Sequence, residues 1–172
     1  MTKQKTLRPG DVVVALQLAL TPEASLNNLA VMAKRSIGEI HNALARLRAS
    51  GLVDPEARRI EREPLIQFIR WGVPYAFPPT TGGATIGVAT AVMLNDPGAA
   101  EPTQSEFVWP TSAGMSRGES LVPLHPRVPE LAEQNPRLRA LVALVDLIRI
   151  GGTRERAAAV AELERALTAV VS

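Results

Sequence analysis

The sequence predicts a mainly α fold with a small β-hairpin, an irregular extended middle and helices at the C-terminal end. Three observations lead there. Apolar residues recur at helical spacing in the first seventy or so residues and again in the last forty. Ten of the 14 prolines lie between Pro74 and Pro136, which excludes helices longer than two turns from that stretch. Aromatic residues make up only 3% of the chain, and all six (Phe68, Trp71, Tyr75, Phe77, Phe107, Trp109) fall in the middle. Both ends must therefore build their cores from Leu, Ile, Val and Ala, a composition better suited to helices than to a β-sandwich. With 172 residues there is enough chain to bury a genuine core.

The elements follow in order. After Leu7-Arg8-Pro9-Gly10-Asp11, the residues Val12, Val13, Leu16 and Leu20 predict a helix that Thr21 and Pro22 end. A short second helix runs from about Ser25 to Lys34. Ser36-Ile37-Gly38-Glu39 is a capping box, in which the Ser oxygen accepts a backbone N–H and the Glu reaches back to the cap residue. It opens a third helix that buries Ile40, Leu44 and Leu47 and stops at Gly51. Leu52-Val53-Asp54, Pro55-Glu56-Ala57 and Arg58 to Arg62 then read as strand, turn, strand. Glu63-Pro64 predicts a fourth helix closed by Gly72, and a strand is expected from Thr85 to Met93. Asn135-Pro136 starts a helix that is apolar nearly all round, Gly151-Gly152 breaks it, and a last helix runs from Thr153 to about Val171. The divisions are residues 1–62, 63–126 and 127–172.

Charge and composition remove several classes of function. Without cysteine there are no disulfides, thiolate metal sites or cysteine nucleophiles. Only His41 and His125 are available to a metal, so no cofactor is expected. The longest uncharged apolar stretch, Ala84 to Leu94, is far short of the ~20 residues that span a bilayer. The N-terminal residues lack a small-residue cleavage pattern, and the expectation is a cytoplasmic protein. The net charge of +2 is small but unevenly placed. Residues 1–62 hold ten Lys or Arg against six Asp or Glu, whereas residues 63–126 hold two against five. No catalytic constellation is apparent, and an enzyme is not expected.

Three helices with a tight break between the second and third, followed by a short basic hairpin, are the order of a winged helix-turn-helix. From Ser25 to Val53 the chain resembles bacterial winged-helix transcriptional regulators of the MarR-like kind. The matches are Leu29-Ala30, Ser36, Ile40, Ala43-Leu44, Leu47 and Gly51-Leu52-Val53, about a third of the chain once the wing to Arg62 is included. It departs at Lys34, where such proteins commonly have Gly, and at Arg35, where a hydrophobe is usual. The run from Trp71 to Pro78, with Gly82-Gly83, is similar to a group of uncharacterised bacterial proteins in which a winged helix precedes a Gly/Pro-rich extension.

The resemblance implies double-stranded DNA as partner, with the third helix in the major groove. Its exposed positions are Ile37, Gly38, Glu39, His41, Asn42 and, a turn later, Arg46. Asn42 can pair bidentately with adenine, His41 can donate to an acceptor, and Ile37 can touch a thymine methyl. Ser36 and the helix start suit a phosphate. Glu39 is assigned to capping first and to cytosine recognition second, because its charge repels phosphate. Arg58, Arg59 and Arg62 belong to the expected wing, with Lys34, Arg35, Lys3, Lys5 and Arg8 as secondary phosphate contacts. Trp71, Tyr75, Phe77 and Trp109 either pin the extended segment onto the fourth helix or line a small-molecule pocket, the structural role being favoured. The apolar C-terminal helices predict a homodimer. Together these features predict a sequence-specific transcriptional regulator, a repressor acting as a dimer on a two-fold operator. The alternative is a winged-helix protein-interaction module that does not bind DNA.

Overall fold

Proline at the first helical position and an acidic third residue start helix α1 (Pro9–Leu20), where the Arg8 N–H donates to the Asp11 carboxylate at 2.9 Å. The computed structural model describes residues 3–90 and 107–169. The Thr21 hydroxyl donates to the Gln17 carbonyl at 2.7 Å where α1 ends. In α2 (Leu26–Met32) the Ser25 oxygen accepts from the Asn28 N–H. The capping box at the head of α3 (Ile37–Ala49) forms as expected: Glu39 N–H donates to Ser36 Oγ at 3.2 Å, and Ser36 N–H to Glu39 Oε2 at 2.8 Å. Gly51 takes a left-handed φ of 73°, and the Leu52 N–H returns to the Leu47 carbonyl, closing α3.

The expected hairpin after Gly51 is reduced to one antiparallel bridge, Val53 to Ile60. Pro55 bounds the pairing on one side. On the other, α4 (Arg62–Gln67) begins at once, so Arg62 belongs to a helix and not to a wing strand. Gly72 does not stop this helix either. With φ −100° it lies outside the left-handed region, and the chain runs through a π-helical turn, Phe68–Gly72, into α5 (Val73–Ala76). Phe68 fills the space where a side chain at position 72 would lie, and Phe77 meets Phe68 edge-on with ring centroids 6.4 Å apart.

The largest departure is in the middle segment, whose described residues hold more regular structure than the single expected strand. It forms β1 (Thr81–Ala89), β2 (Phe107–Pro110) and β3 (Ser116–Leu121). β1 runs antiparallel to both others, with Val88 opposite Trp109 and Thr85 opposite Gly118. β2 and β3 pair in parallel, Val108 opposite Ser120, so the three strands close on one another. Proline is abundant here, yet no proline interrupts β1 or β3, and Pro110 stands at the end of β2. Of the expected strand at 85–93, the part beyond Thr90 lies outside the described residues, as does the end of the last helix.

Helices α6 (Val128–Gln134), α7 (Pro136–Ile150) and α8 (Thr153–Ala169) complete a mainly helical fold with one small sheet. Asn135 caps α7 by accepting from the Leu138 N–H. Every residue of α7 from Leu141 to Arg149 is buried, covered by α1, α5, α6, α8 and the π-helical turn. The apolar surface that suggested a homodimer is therefore satisfied within one chain. One core cluster runs from Val12 to Leu167 and joins all three sequence segments. No helix among the described residues is long and apolar enough to cross a membrane.

A buried polar network ties α7 to the sheet. Asp146 Oδ2 accepts from Thr90 Oγ1 (2.6 Å) and Trp109 Nε1 (2.7 Å), and Oδ1 from Arg149 Nη1 (2.8 Å). Arg149 Nε and Nη2 donate in turn to the carbonyls of Phe77 and Pro78. Burial pushes the Asp146 carboxyl up, against the opposing pull of Thr90, Arg149 and Trp109.

Close packing within the sheet depends on Gly87. A Cβ there would collide with the backbone carbonyl of Trp109, whereas at Gly83 it would meet open space. Gly87→Ala should therefore lower the urea midpoint clearly, by about 1–3 kcal/mol of stability for an overpacked site. Gly83→Ala should leave the midpoint within about 0.5 kcal/mol of the parent.

Candidate functional site

The exposed face of α3 is the natural place to begin, because its amphipathic pattern buries Ile40, Ala43, Leu44 and Leu47 and leaves the opposite side uncovered. Ser36, Ile37, Gly38, His41 and Asn42 are all exposed, as the sequence predicts. Between α2 and α3 the chain turns through Lys34, whose φ of 50° is the single non-glycine left-handed conformation among the described residues. It falls at the position where the expected likeness to winged-helix regulators calls for glycine. A tight turn thus sets α3 against α2.

Three basic residues assigned to DNA contact are instead engaged within the fold. Arg46 is held by Asp11 of α1 through two parallel bonds, Nε to Oδ2 and Nη2 to Oδ1, both 2.7 Å. Its side chain is 13% exposed and that of Asp11 1%. The Asp11 hydrogen bonds raise the Arg46 pKa above its ordinary value. A guanidinium with both faces of its fork on a buried carboxylate is a strut between α1 and α3, not a base reader. Lys34 is paired with Glu130 of α6. Arg35 is largely buried and directs Nη1 towards the Gly10 carbonyl at 3.4 Å. The resemblance to exposed turn residues does not carry over because α6 packs beside this turn.

Of the three arginines that follow α3, Arg59 is engaged within the fold. Asp54 Oδ1 accepts the N–H groups of Glu56 and Ala57, and these bonds hold its carboxyl below the usual range. Asp54 Oδ2 takes Arg59 Nη2 at 2.9 Å, and Glu61 stands 3.9 Å from the same nitrogen. Arg58 is exposed. Arg62 is half-buried at the start of α4.

Lys3, Lys5 and Arg8 were expected as secondary phosphate contacts, but the place of segment 3–8 was not expected. It lies beside α3, and between them opens a cleft of about 650 Å³ lined by Lys3, Lys5, Arg8, His41, Asn42 and Arg46, among others. No carboxylate is among its described lining residues. Leu7, half-buried against the core, fixes the segment in place. The period-two placement of Lys3 and Lys5 and the apolar Leu7 were the available signals, but neither shows where an unpaired segment lies.

The four aromatic residues assigned to a ligand pocket are not brought together. Trp109 is fully buried and donates to Asp146. With Val13, Val128, Leu131, Leu138 and Val142 it borders a packing gap that has no room for water. Phe77 packs on Phe68. Trp71 and Tyr75, by contrast, are 62% and 77% exposed, with the Arg70 guanidinium 4.5 Å from the Trp71 ring. Among the described residues, no group of three or more His, Asp or Glu is placed to hold a metal.

His125, which the sequence left without a role, sits where the sheet returns to the helices. Its ring lies against Gly10, and its Nδ1 accepts the Arg127 N–H at 3.2 Å near the start of α6. Burial lowers its pKa, Arg35 and Arg127 lower it further, and Glu39 opposes them. Glu39 is itself held low by the Ser36 backbone and hydroxyl.

Comparison of the chain with protein-family models, with curated proteins and with solved structures finds no match. The site therefore stands on its own geometry.

Two outcomes follow. Arg46→Ala leaves a buried carboxylate unpaired and should cost about 3 kcal/mol. In a urea double-mutant cycle, Asp11→Ala/Arg46→Ala should fall well short of the sum of the single variants. The folded-state imidazole of His125 takes a proton less readily than the unfolded one. Its share of the stability is thus complete above about pH 6.5 and lost as the pH falls towards the depressed folded value. Melting scans should show Tm declining between pH 7 and pH 5, with a shallower decline in His125→Gln.

Proposed function

We propose that the protein binds double-stranded DNA sequence-specifically and regulates transcription, in the manner of a winged helix-turn-helix with α3 in the major groove. The observation that carries this reading is the uncovered start of α3, Ser36 to Asn42, bordered by a cationic cleft with no carboxylate among its described lining residues. Duplex DNA presents one negative charge per ~1.7 Å of axis, and such a surface is complementary to it even at a net charge of +2.

Within this reading the roles are specific. Ser36 and the first N–H groups of α3 approach a phosphate, while Ile37 and Gly38 allow close contact with the groove wall. His41 and Asn42 face base edges, Asn42 with the geometry to pair with adenine N6 and N7. Arg58 reaches the flanking backbone from the bridge. Arg46, Lys34 and Arg35 serve by fixing the angle and position of α3. Competition with polymerase at a promoter would make such a protein a repressor.

A second reading, a protein-docking module, is favoured by one observation: Trp71 and Tyr75 stand four residues apart and largely exposed. Electrophoretic mobility shift separates the two. With a duplex from upstream of the protein's own gene, the parent should shift the DNA with strong salt dependence. Asn42→Ala should lose about 1–3 kcal/mol of preference over a scrambled duplex, while Trp71→Ala/Tyr75→Ala should bind as the parent does. Well-folded protein that shifts no duplex at low salt would move the assignment to docking.

A further inference from the structure

We propose that the cleft between segment 3–8 and α3 is a phosphate-chain site, in which Lys3, Lys5 and Arg8 grip phosphates of one nucleic-acid strand while His41 and Asn42 face its bases. The inference rests on the DNA-binding reading and deepens it by assigning a second, sequence-independent grip beside the reading helix.

The cleft is two-sided. One wall is segment 3–8, in which Lys3, Lys5 and Arg8 are exposed. The other is α3, which contributes His41 and Asn42 together with Arg46. Arg46 is neutralised by Asp11 from beneath, so the charge offered to a ligand comes from the segment. Two residues of extended chain span at most about 7 Å. That matches two steps of a single strand at ~3.4 Å of rise each. A lysine at every second position therefore suits a regularly spaced polyanion. Leu7 packs against the core between Lys5 and Arg8, which reduces the ordering that the segment must undergo on binding.

The binding step is ionic and involves no bond making. Each lysine or arginine that neutralises a phosphate releases a condensed counterion, so the number of contacts is readable from the salt dependence. Two sources share the chemistry: the backbone of a DNA strand, and a short free phosphate chain.

The test compares the full-length protein with Lys3→Ala/Lys5→Ala/Arg8→Ala, using fluorescence anisotropy against a mixed-sequence 24-base-pair duplex, tripolyphosphate as competitor, and a polyglutamate peptide. Circular dichroism and Tm check that the variant is folded. Gln4→Ala/Thr6→Ala changes the same wall without changing its charge, and it should bind as the parent does.

The expected result is about 100-fold weaker duplex binding by the triple variant near 0.15 M salt, equal across sequences, with the log–log salt slope smaller by about two to three. A triple variant that binds duplex like the parent, with an unchanged slope, would overturn the cleft assignment and leave the DNA reading intact. If the parent binds no duplex but binds tripolyphosphate, and the triple variant does not, the cleft assignment stands for a free phosphate chain and the DNA reading fails. Binding of polyglutamate in preference to either phosphate probe would overturn the phosphate assignment itself.

Discussion

The Asp11 carboxylate is the interaction on which the rest of the structure depends. It is 0% exposed, and it accepts the Arg8 N–H at the start of α1 together with both arms of the Arg46 guanidinium from α3. A carboxylate removed from water to this extent is tolerated only when its lone pairs are occupied, and here three charge-assisted or backbone donors occupy them. The geometry of that fork sets how α1 and α3 cross. α1 is buried along nearly its whole length and packs against α7, so the crossing connects the exposed face of α3 to the centre of the molecule.

A second buried carboxylate, Asp146, plays the same part for α7 and the sheet. Asp146 joins α7 to Thr90 at the end of β1 and to Trp109 of β2, and Arg149 extends the network to the carbonyls of Phe77 and Pro78. Those carbonyls belong to the link between α5 and the sheet, which has no regular pairing of its own. Donors from α7 satisfy backbone groups that would otherwise be buried without partners. The two networks differ in which sequence distances they span. Asp11 to Arg46 lies within residues 1–62. Asp146 gathers residues from the other two segments, and the shared core cluster makes the three segments interdependent.

Where local chemistry decides, the structure was legible in the sequence. The Ser36–Glu39 box, the glycine stop at Gly51, the Asn135 cap and the break at Gly151 are fixed by side chain to backbone bonds within a few residues, and all lie where the pattern puts them. Where partners decide, it was not. β1 was expected from Thr85 onward, but its partners β2 and β3 were not, because the prolines of the middle segment flank the strands instead of interrupting them. Gly72 looked like a helix stop, but the packing of Phe68 lets the helix pass through a π-helical turn. The all-round apolar pattern of α7 is the same for a helix buried in its own chain and for one covered by a second chain, so the pattern alone could not tell these apart. At the candidate site, the exposed side of α3 followed from its amphipathic spacing. The loss of Arg46, Lys34 and Arg35 did not, because their partners Asp11, Glu130 and Gly10 are far away in sequence.

The arrangement of ion pairs explains how a chain of net charge +2 presents a cationic surface. Carboxylates are spent on selected cations: Asp11 on Arg46, Glu130 on Lys34, Asp54 on Arg59, and Asp146 on Arg149. The first three pairs fix junctions, respectively α1 to α3, the α2–α3 turn to α6, and the Val53–Ile60 bridge, while the fourth lies within α7, whose Asp146 also accepts from Thr90 and Trp109. Lys3, Lys5 and Arg8 are placed differently, on an exposed segment whose cleft has no carboxylate among its described walls. Exposed pairs contribute little stability, and an unpaired exposed cation therefore costs the fold almost nothing. Its field, however, extends over about a Debye length, ~8 Å at physiological salt, and reaches the first turns of α3 from the opposite wall of the cleft. The internal pairs thus hold α3 in a fixed pose, and the unpaired cations concentrate the positive potential on its uncovered face.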